Sequence, residues 1–371
     1  MMRTVLLRDI CSYVNSKIQV EQVQLTNYVS TENLLQNKGG LSVANKLPSG
    51  KVTTFRTGDV LVSNIRPYFK KIWFADRSGG ASNDVLVFRK LNDNICEKYL
   101  HYILADDRFF AFSTVSASGS KMPRGDKTQI MNYPVNLPPL DQQKKIANIL
   151  GSLDEKIELN RRMNETLEQL SQTLFCHYFV DNPEARSWDK KPLDEIANFL
   201  NGLAMQKYPK INGQPTLPVI KIREMSSGIT DSTDIASANI PEEYIIHDGD
   251  LLFSWSGTLM VRFWSGGDGA LNQHLFKVTS DKYPEWLYYY WTKYHLDQFM
   301  SIAKSKATTM GHIQRKHLKQ AEVIMPPNIK EMTLEFAPII DQIKTNLFEI
   351  NSLVNIRDAL LPKLISGEVE I

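Results

Sequence analysis

The chain has 371 residues, of which 42% are hydrophobic, 23% charged and 10% aromatic, and its formal net charge is +2. So high an apolar fraction excludes an intrinsically disordered chain, and the length is typical of two or three globular domains. The small net charge excludes a grossly basic DNA-coating protein, although it leaves room for local basic patches.

The N-terminal segment, MMRTVLLRDICSYVNSK, lacks the long apolar core and the small-residue cleavage site of a signal peptide. No apolar run approaches the roughly 18 residues that a membrane span needs. The three cysteines, Cys11, Cys96 and Cys176, have no short spacing among them. This pattern excludes a disulfide framework and indicates reduced thiols, so we predict a cytoplasmic protein without a membrane segment.

The chain contains an internal repeat. FRTGDVLVS, from Phe55, returns as IHDGDLLFS from Ile246, and GGASNDVLVF, from Gly79, returns as GDGALNQHLF from Gly267. The blocks keep the same order, and the offset stays close to 190 residues. This period is far too long for a solenoid, so the repeat indicates a duplicated domain.

Each copy starts with short β-type runs bounded by Gly, Asn and Asp, and helical stretches follow. The runs are VLVSNI and DVLVF in the first copy, and DLLFSW and HLFKV in the second. The helical stretches, EKYLHYILADDRFFAF and PEWLYYYWTKYHLDQFM, carry aromatic residues on one face. We interpret the Trp and Tyr cluster of the second stretch as core, with base stacking as the alternative.

Basic, hydroxyl and amide side chains cluster in loops at matching places in the two copies. Such side chains can grip phosphates or read base edges, so we take them as candidate DNA contacts. A solvated loop surface is the alternative. The candidates are Asn64, Arg66, Lys70, Lys71, Lys121, Arg124 and Lys127 in the first copy, and Ser256, Thr258, Arg262, Lys304, Lys306, Thr309, His312, Gln314 and Arg315 in the second.

Each copy ends in a Pro-Pro stop, after which a heptad pattern predicts a long helix, 142–176 or 330–365. Pro338 is predicted in the first turn of the second helix. The seam residues expected to pair the helices are Leu150, Leu153, Ile157, Asn160, Asn164 and Leu167 in the first, and Ile340, Ile343, Leu347, Ile350, Val354 and Leu361 in the second.

The seam contains polar residues, which can fix helix register or partner. We expect Asn160 and Asn164 to face Ile350, Val354 and Arg357. Two alternatives remain: the polar positions lie where the seam meets solvent, or each helix packs singly on its own domain. Pairing within one chain and pairing between chains are both open at this point.

No motif for catalysis is present. The chain has no G-x-x-x-x-G-K-[ST] loop, no G-x-G-x-x-G after a strand, no G-x-S-x-G elbow and no cluster with metal-ligand spacing. We read Asn136-Leu137-Pro138-Pro139 as a domain stop, although it approaches a motif of amino-methyltransferases. The pattern therefore predicts a binding protein with no catalytic or metal-ligating residue.

Several segments resemble type I restriction–modification specificity subunits. LPPLDQQKKIANILGSLDEKIELNRRMNETLEQLSQTLF, from Leu137, resembles their central conserved region, and IRDALLPKLISGEVEI, from Ile356, resembles their C-terminal conserved region. NKGG, SNIRPYFKKIWFAD and KMPRGD are similar to one class of their target recognition domains, and GDLLFSWSGTL and ALNQHLFKV to another. The second stop departs from the family pattern, because it reads MPPNIKEM where PPL-x-x-Q is usual.

The resemblance implies an α+β fold with duplicated target recognition domains, 1–140 and 181–328. Two conserved helices, 141–180 and 329–371, would form an antiparallel coiled coil. Each recognition domain would read one half of a bipartite site in double-stranded DNA.

The resemblance also implies partners. The helices would dock methyltransferase subunits, expected to number two, which would bind S-adenosylmethionine and methylate adenine. A separate ATP-driven restriction and translocation subunit would cut. This chain itself would hold no cofactor. The alternatives are a coiled-coil protein-interaction scaffold and a fragment of a single-chain restriction–methylation enzyme.

Overall fold

The computed structural model of the chain describes residues 3–119, 121–305 and 311–371. They form two compact units: unit 1 comprises Met1–Lys156 and Leu353–Ile371, and unit 2 comprises Ile157–Ser352. Each unit holds one copy of the repeat and a part of each long helix. Both units combine helices with strands, so the predicted α+β class is confirmed.

The first sheet of unit 1 contains Val60–Ser63, an inner strand that is buried on both faces and that we call the central strand. Its antiparallel strands lie in the order Cys11–Tyr13, Val85–Lys90, Val60–Ser63 and Ile72–Phe74. Val60 and Val62 pack with the helices of the unit, whereas Leu61 packs with the second sheet. Because alternate side chains of a strand point to opposite faces, burial on both faces explains the continuous apolar run VLV.

The other elements of unit 1 surround this sheet. The second sheet has the order Lys17–Gln19, Lys51–Phe55, Gly79–Ala81 and Tyr28–Val29, with the last pair parallel. Arg3–Leu6 pairs with Pro134–Leu137 and so joins the start of the copy to its end. The shorter helices are Glu97–Ala105, Asp107–Val115 and Lys127–Ile130.

Unit 2 repeats this plan. Its first sheet has the order Asn198–Asn201, Leu275–Thr279, Leu251–Ser254 and Met260–Phe263. Its second sheet has the order Ile235–Ser237, Thr216–Ile220, Gly269–Leu271 and Ile245–Ile246. Lys190–Pro192 pairs with Glu322–Ile324. The shorter helices are Leu193–Ile196, Ile222–Ser227, Glu285–Tyr294, Leu296–Ser305 and Arg315–Gln320.

The second sheets of the two units differ in where their outer strand attaches. In unit 1 it pairs with Lys51–Phe55, whose counterpart in unit 2, Ile245–Ile246, is only two residues long. In unit 2 the outer strand pairs with Thr216–Ile220, whose counterpart in unit 1, Tyr28–Val29, is equally short. A long strand offers enough backbone groups to pair a further strand, so length decides which edge is extended.

The helical stretch predicted in the first copy is two helices. Glu97–Ala105 ends at Asp106, whose backbone is extended and whose carboxylate accepts a hydrogen bond from the Arg108 N–H at 2.8 Å. Asp106 therefore caps the second helix, Asp107–Val115, which makes it a start signal inside an apolar pattern. The second copy breaks at the equivalent place, between Glu285–Tyr294 and Leu296–Ser305.

The aromatic cluster of the second copy is core, as interpreted from the sequence. Trp286, Tyr289 and Trp291 are buried in unit 2, and the Trp286 ring stacks on Phe336 with centroids 4.7 Å apart. The alternative of base stacking is wrong for these three rings, because rings buried in the core are out of reach of a base.

The two predicted long helices are confirmed as Leu140–Phe175, which we call the central helix, and Ile329–Ser366, which we call the C-terminal helix. The predicted place of Pro338 is wrong, because the C-terminal helix begins at Ile329 and places this proline in its interior. A proline there leaves the carbonyl of Leu334 without its helical hydrogen bond. Leu334 is 78% exposed, so water can reach that part of the helix surface.

The long helices pack against both cores. In unit 1, Ile146 and Leu150 of the central helix belong to the same buried cluster as Leu361 and Leu364 of the C-terminal helix. In unit 2, Phe336, Ile340 and Ile343 are buried, with Leu167 and Leu174 packed against the cluster that holds them. Each unit thus uses a segment of both helices to complete its core.

Candidate nucleic-acid interface

In unit 1 the predicted recognition loops are held together by backbone hydrogen bonds. Asn64 follows the central strand, and its N–H donates to the carbonyl of Asp84 at 2.9 Å. The Arg66 N–H donates to the Pro123 carbonyl at 2.8 Å, and the Gly125 N–H donates to the Asn64 carbonyl at 3.3 Å. Loops far apart in the chain therefore form one surface.

Unit 2 contains the same frame of backbone hydrogen bonds. The Trp255 N–H donates to the His274 carbonyl at 3.4 Å, and the Gly257 N–H donates to the Gly311 carbonyl at 2.9 Å. The Ile313 N–H donates to the Trp255 carbonyl at 3.0 Å. The two copies thus present equivalent loops, and the side chains on these loops distinguish them.

The loop after the central strand of unit 1 carries predicted contacts that differ in how they are held. Asn64 is buried, and within the described residues its Oδ1 has no hydrogen-bond partner. The Arg66 guanidinium donates to the Lys121 carbonyl at 3.2 Å. The Lys70 ammonium is 2.9 Å from the Asp107 carboxylate. Arg66 and Lys70 therefore already have an intramolecular partner.

Lys71 and Arg124 are also engaged. The Lys71 ammonium donates to the Thr31 carbonyl at 2.5 Å, and burial lowers its pKa, an effect that Glu32 opposes. The Arg124 guanidinium forms an ion pair with Asp84 at 3.1 Å, and both side chains remain partly exposed. An exposed pair of this kind is weak and can exchange its carboxylate for a phosphate.

The backbone of this loop is unusual. Among the described residues other than glycine, only Asn37, Lys38, Arg66 and Lys70 have positive φ angles, between 51° and 59°. They lie on two segments joined by hydrogen bonds from the Asn37 N–H to the Phe69 carbonyl and from the Lys38 N–H to the Lys70 carbonyl, both 2.9 Å. The left-handed conformation costs about 1–3 kcal/mol at such residues and is often found at functional sites.

The structure adds a basic groove that the sequence did not indicate. It is a cavity of about 460 Å³ whose lining includes Lys17, Lys51, Asn83 and Lys127 and no carboxylate. The Lys17 ammonium donates to Thr53 Oγ1 at 2.8 Å and to Asn83 Oδ1 at 2.6 Å. Lys17 and Lys51 lie on two paired strands, one at each end of the paired segment. Because the two lysines are far apart in the chain, no local sequence pattern predicted that they would share a groove.

The first predicted cluster of unit 2 has few free cations. Ser256 is buried and its Oγ is 3.0 Å from His274 Nδ1. Thr258 is exposed, and Arg262 donates to the Met225 carbonyl at 3.3 Å. This part of unit 2 is therefore more polar than basic.

The later predicted cluster of unit 2 lies partly outside the described residues, where Lys306 and Thr309 fall. Lys304 is exposed at the end of its helix. His312, Gln314 and Arg315 line a pocket of about 570 Å³ with Trp255. Asn201, Ser256, His274, Phe276 and Ile313 complete its walls.

The twelve predicted seam residues of the long helices are all buried or half-buried. The contacts run antiparallel within each unit. In unit 2, Asn160 Nδ2 donates to Glu349 Oε2 at 2.8 Å, and Asn346 Nδ2 donates to Asn164 Oδ1 at 2.7 Å. Asn164 Nδ2 also donates to the Ile343 carbonyl at 3.2 Å. The helices of this one chain therefore contact each other.

The predicted partners of the polar seam residues need correction. Arg357 does not face the two asparagines. Its guanidinium donates to Asp154 Oδ1 at 2.9 Å in unit 1, and it also pairs with Asp358 at 3.0 Å. Burial alone would lower the pKa of Arg357, but the two carboxylates raise it above its usual value. Antiparallel pairing brings Arg357 opposite Asp154, near the middle of the central helix, and the heptad pattern alone does not specify this register.

Two chemical features are absent from the described ranges. No group of three or more His, Cys, Asp and Glu residues among them could hold a metal ion. Among the same residues, no helix is both long and apolar enough to cross a membrane.

Comparison with known proteins agrees with this architecture. The family model for the type I restriction modification DNA specificity domain matches twice, over residues 2–169 and 185–356. The chain belongs to this family of DNA specificity proteins. Each match covers one copy of the repeat and most of the long helix that follows it.

Curated relatives of this specificity subunit extend over most of its length. It is 22% identical to the type I restriction enzyme HindI specificity subunit of Haemophilus influenzae, with 98% of both chains covered. It is 23% identical to the MjaIX specificity subunit of Methanocaldococcus jannaschii, with 75% of this chain and 70% of the relative covered.

A solved structure shares its fold. The S subunit of a type I restriction-modification system from M. genitalium aligns over 98% of this chain and 96% of its own, with a TM-score of 0.56 and 16% identity.

Proposed function

We propose that this specificity subunit binds double-stranded DNA and reads a bipartite, asymmetric site, one half with each unit. The observation that carries the proposal is the duplicated backbone frame, in which Asn64 and Arg66 occupy the places of Trp255 and Gly257. Equivalent loops with different side chains suit two different base sequences, because side chains carry the readout of base edges.

In unit 1, charge supports contact with the DNA backbone. The basic groove with Lys17, Lys51 and Lys127 lies beside the loop that carries Arg124, because Asn83 lines the groove and the adjacent Asp84 pairs with Arg124. Lysine ammonium groups without a carboxylate partner can neutralise phosphates and release their counterions. We propose that the groove fixes the position of the duplex and that the loop reads bases.

We further propose that the helix pair sets the spacing of the two half-sites and docks the methyltransferase subunits, two in number. Both long helices carry exposed apolar side chains, which a docked subunit would cover. They are Ile149 and Ile356 in unit 1, and Leu159, Leu170 and Leu334 in unit 2.

We propose that the partner subunits carry out the catalytic reactions. Methyltransferase subunits would bind S-adenosylmethionine, and the restriction and translocation subunit would use ATP, so this chain would need no cofactor. The absence of P-loop, nucleophile-elbow and dinucleotide motifs in the sequence supports this division.

Methylome sequencing of the host with and without this gene tests the proposal. We expect one bipartite adenine motif to lose methylation in the deletion strain. A duplex with that motif should bind the subunit and its methyltransferase partner in a gel shift more tightly than a scrambled duplex. If no motif changes and no duplex binds, the coiled-coil scaffold is the better description.

A further inference from the structure

The pocket of unit 2 is built on the backbone frame of its recognition loops. Trp255, His274 and Ile313 are joined by that frame, and all three line the pocket. Its volume is about 570 Å³. The pocket thus lies within the loops proposed to meet DNA and is not a separate cavity of the fold.

Aromatic rings form its walls. The Trp255 and Phe276 rings have centroids 6.0 Å apart and an angle of 33° between their planes, and His274 lies 5.8 Å from Trp255. The His312 ring meets Trp255 edge-on at 6.2 Å. Trp255 is held in place because its Nε1–H donates to Asn201 Oδ1 at 2.9 Å. A half-buried, fixed indole is a platform on which a flat ring can stack.

Hydrogen-bonding groups stand at the edge of these rings. The Gln314 side chain lines the pocket and is exposed, so its amide is open to a ligand. Arg315 lies over the Phe276 ring at 5.9 Å and donates to the Phe199 carbonyl at 3.3 Å. Ser256 Oγ fixes His274 through Nδ1. The arrangement combines stacking surfaces with amide, guanidinium and imidazole groups, as sites for planar heterocycles do.

We infer that this pocket binds a single nucleobase that has left the base stack. The inference rests on the proposed function and extends it. In an intact duplex both faces of a base are covered by its neighbours, so an aromatic pocket can stack only on a base that has rotated out or on a free nucleotide. Enzymes that modify a base do rotate it out of the duplex, which disturbs the pair it leaves.

At the same place in unit 1, the described residues on the frame are different. There Asn64 stands where Trp255 stands in unit 2, and Asp84 stands where His274 stands. Unit 1 therefore has the shared frame without the rings that correspond to Trp255 and His274. The inference assigns the extrahelical base to unit 2 only.

The test uses the full chain with its methyltransferase partner and duplexes of the methylome motif that carry one mismatch each, placed in turn along the site. A mismatched base leaves the stack more easily. For each position, the affinity for the mismatched duplex is divided by the affinity for the perfect duplex. Comparison of this ratio between variants removes the effect of lost base readout, which is common to all of them.

We expect one position in the unit 2 half-site at which the wild-type ratio exceeds that of Trp255→Leu by roughly five- to 150-fold, the range typical of losing one base–aromatic stack. Gln314→Ala, which removes an exposed polar group and no ring, should lower the same ratio by a smaller factor. Tyr294→Leu is the matched control, because Tyr294 is an exposed aromatic residue of unit 2 that does not line the pocket.

A second arm identifies the source of the base. The four deoxynucleoside monophosphates and deoxyribose 5-phosphate are titrated into the wild type and the variants by calorimetry. Binding of the nucleotides to the wild type alone, with equal mismatch ratios in all proteins, would assign the pocket to free nucleotides. Equal ratios and no nucleotide binding would overturn the inference. Failure of the proposed function would look different, since the perfect duplex itself would not bind.

Discussion

Cations on the predicted recognition loops of unit 1 mostly have acceptors within the protein. Lys70 pairs with Asp107, and Lys71 donates to the Thr31 carbonyl. Such contacts hold the loop, and their loss on binding DNA would offset part of the gain from a phosphate contact. No carboxylate lines the basic groove, so we expect its lysines to contribute more to affinity.

Replacing Lys17 and Lys51 together by alanine should weaken duplex binding and flatten its salt dependence. Each lost phosphate contact lowers the slope of log K against log salt by about one, so the double variant should lose about two. Filter binding across a series of salt concentrations measures this. Lys46→Ala is the control, since Lys46 is an exposed lysine of the same unit outside the groove. An unchanged slope would remove the groove from the interface.

His101 makes the stability of unit 1 depend on pH below neutrality. Burial lowers its pKa to about 4 from an ordinary 6.5; Arg357, Lys38 and Lys98 act in the same direction, and Asp154 opposes them. Its Nδ1 has no hydrogen-bond partner within the described part of the chain. The folded protein therefore holds this imidazole neutral.

Because the pKa is lower in the folded state, the unfolded chain takes up the proton first as the pH falls. The contribution of His101 to the free energy of unfolding is complete above pH 6.5 and is lost as the pH falls toward 4. The full loss is about 3 kcal/mol. His101→Phe, which keeps a ring beside Phe74, should reduce the loss. Urea unfolding at pH 7, 6 and 5 measures it, and equal losses in wild type and variant would contradict the assignment.

At the level of elements, an ion pair between a buried arginine and a half-buried aspartate links the two long helices in unit 1. The Arg357 side chain is 8% exposed, and Asp154 accepts hydrogen bonds from it and from the Tyr102 hydroxyl, the latter at 2.7 Å. The pair fixes which turns of the helices lie opposite each other. Removal of one partner leaves a buried charge and a hydroxyl group without this acceptor.

Asp154→Ala should lower the free energy of unfolding by about 3 kcal/mol, because Arg357 stays buried with only Asp358 beside it. The double variant Asp154→Leu, Arg357→Leu should recover most of this loss, since no buried charge remains. Glu155→Ala is the control: Glu155 pairs with Lys98 on the exposed side of the same helix, and its loss costs less than about 1 kcal/mol. Equal effects of Asp154→Ala and Glu155→Ala in chemical denaturation would show that burial of the pair is unimportant.

Local sequence patterns predicted some of the elements and missed others. Heptad spacing predicted both long helices, and turn residues around VLVS and LLFS predicted the central strands. The break at Asp106 escaped prediction, because the apolar spacing continues through it and only its cap hydrogen bond to the Arg108 N–H marks it. The prediction for Pro338 was wrong because proline is also a common start signal of helices. Here the C-terminal helix begins earlier, at Ile329, so this proline does not mark its start.

At the scale of the whole molecule, each unit closes on itself through a strand pair that joins the start of the copy to its end. In unit 2 this pair is Lys190–Pro192 with Glu322–Ile324. Everything that carries the recognition loops of unit 2 lies between these strands. The segment can therefore be exchanged as one module.

Exchange of residues 189–327 for the equivalent segment of a relative with another target should change one half of the recognised site and leave the other half unchanged. Methylome sequencing of cells that express the chimera, together with its methyltransferase partner, gives both halves at once. A chimera with the helices intact and both halves altered would contradict modular reading. An unaltered motif would place recognition outside unit 2.

The sequence alone determined the duplication, the central strands, the two long helices and the family, because repeats, alternation and heptads depend on residues close together in the chain. The tertiary structure decided the rest. Strand pairing brings Lys17 and Lys51 to one groove, and the loop frame brings Trp255 to Gln314. Antiparallel packing sets Arg357 against Asp154. Such contacts join residues tens to hundreds of positions apart, and no local pattern specifies which distant side chains meet.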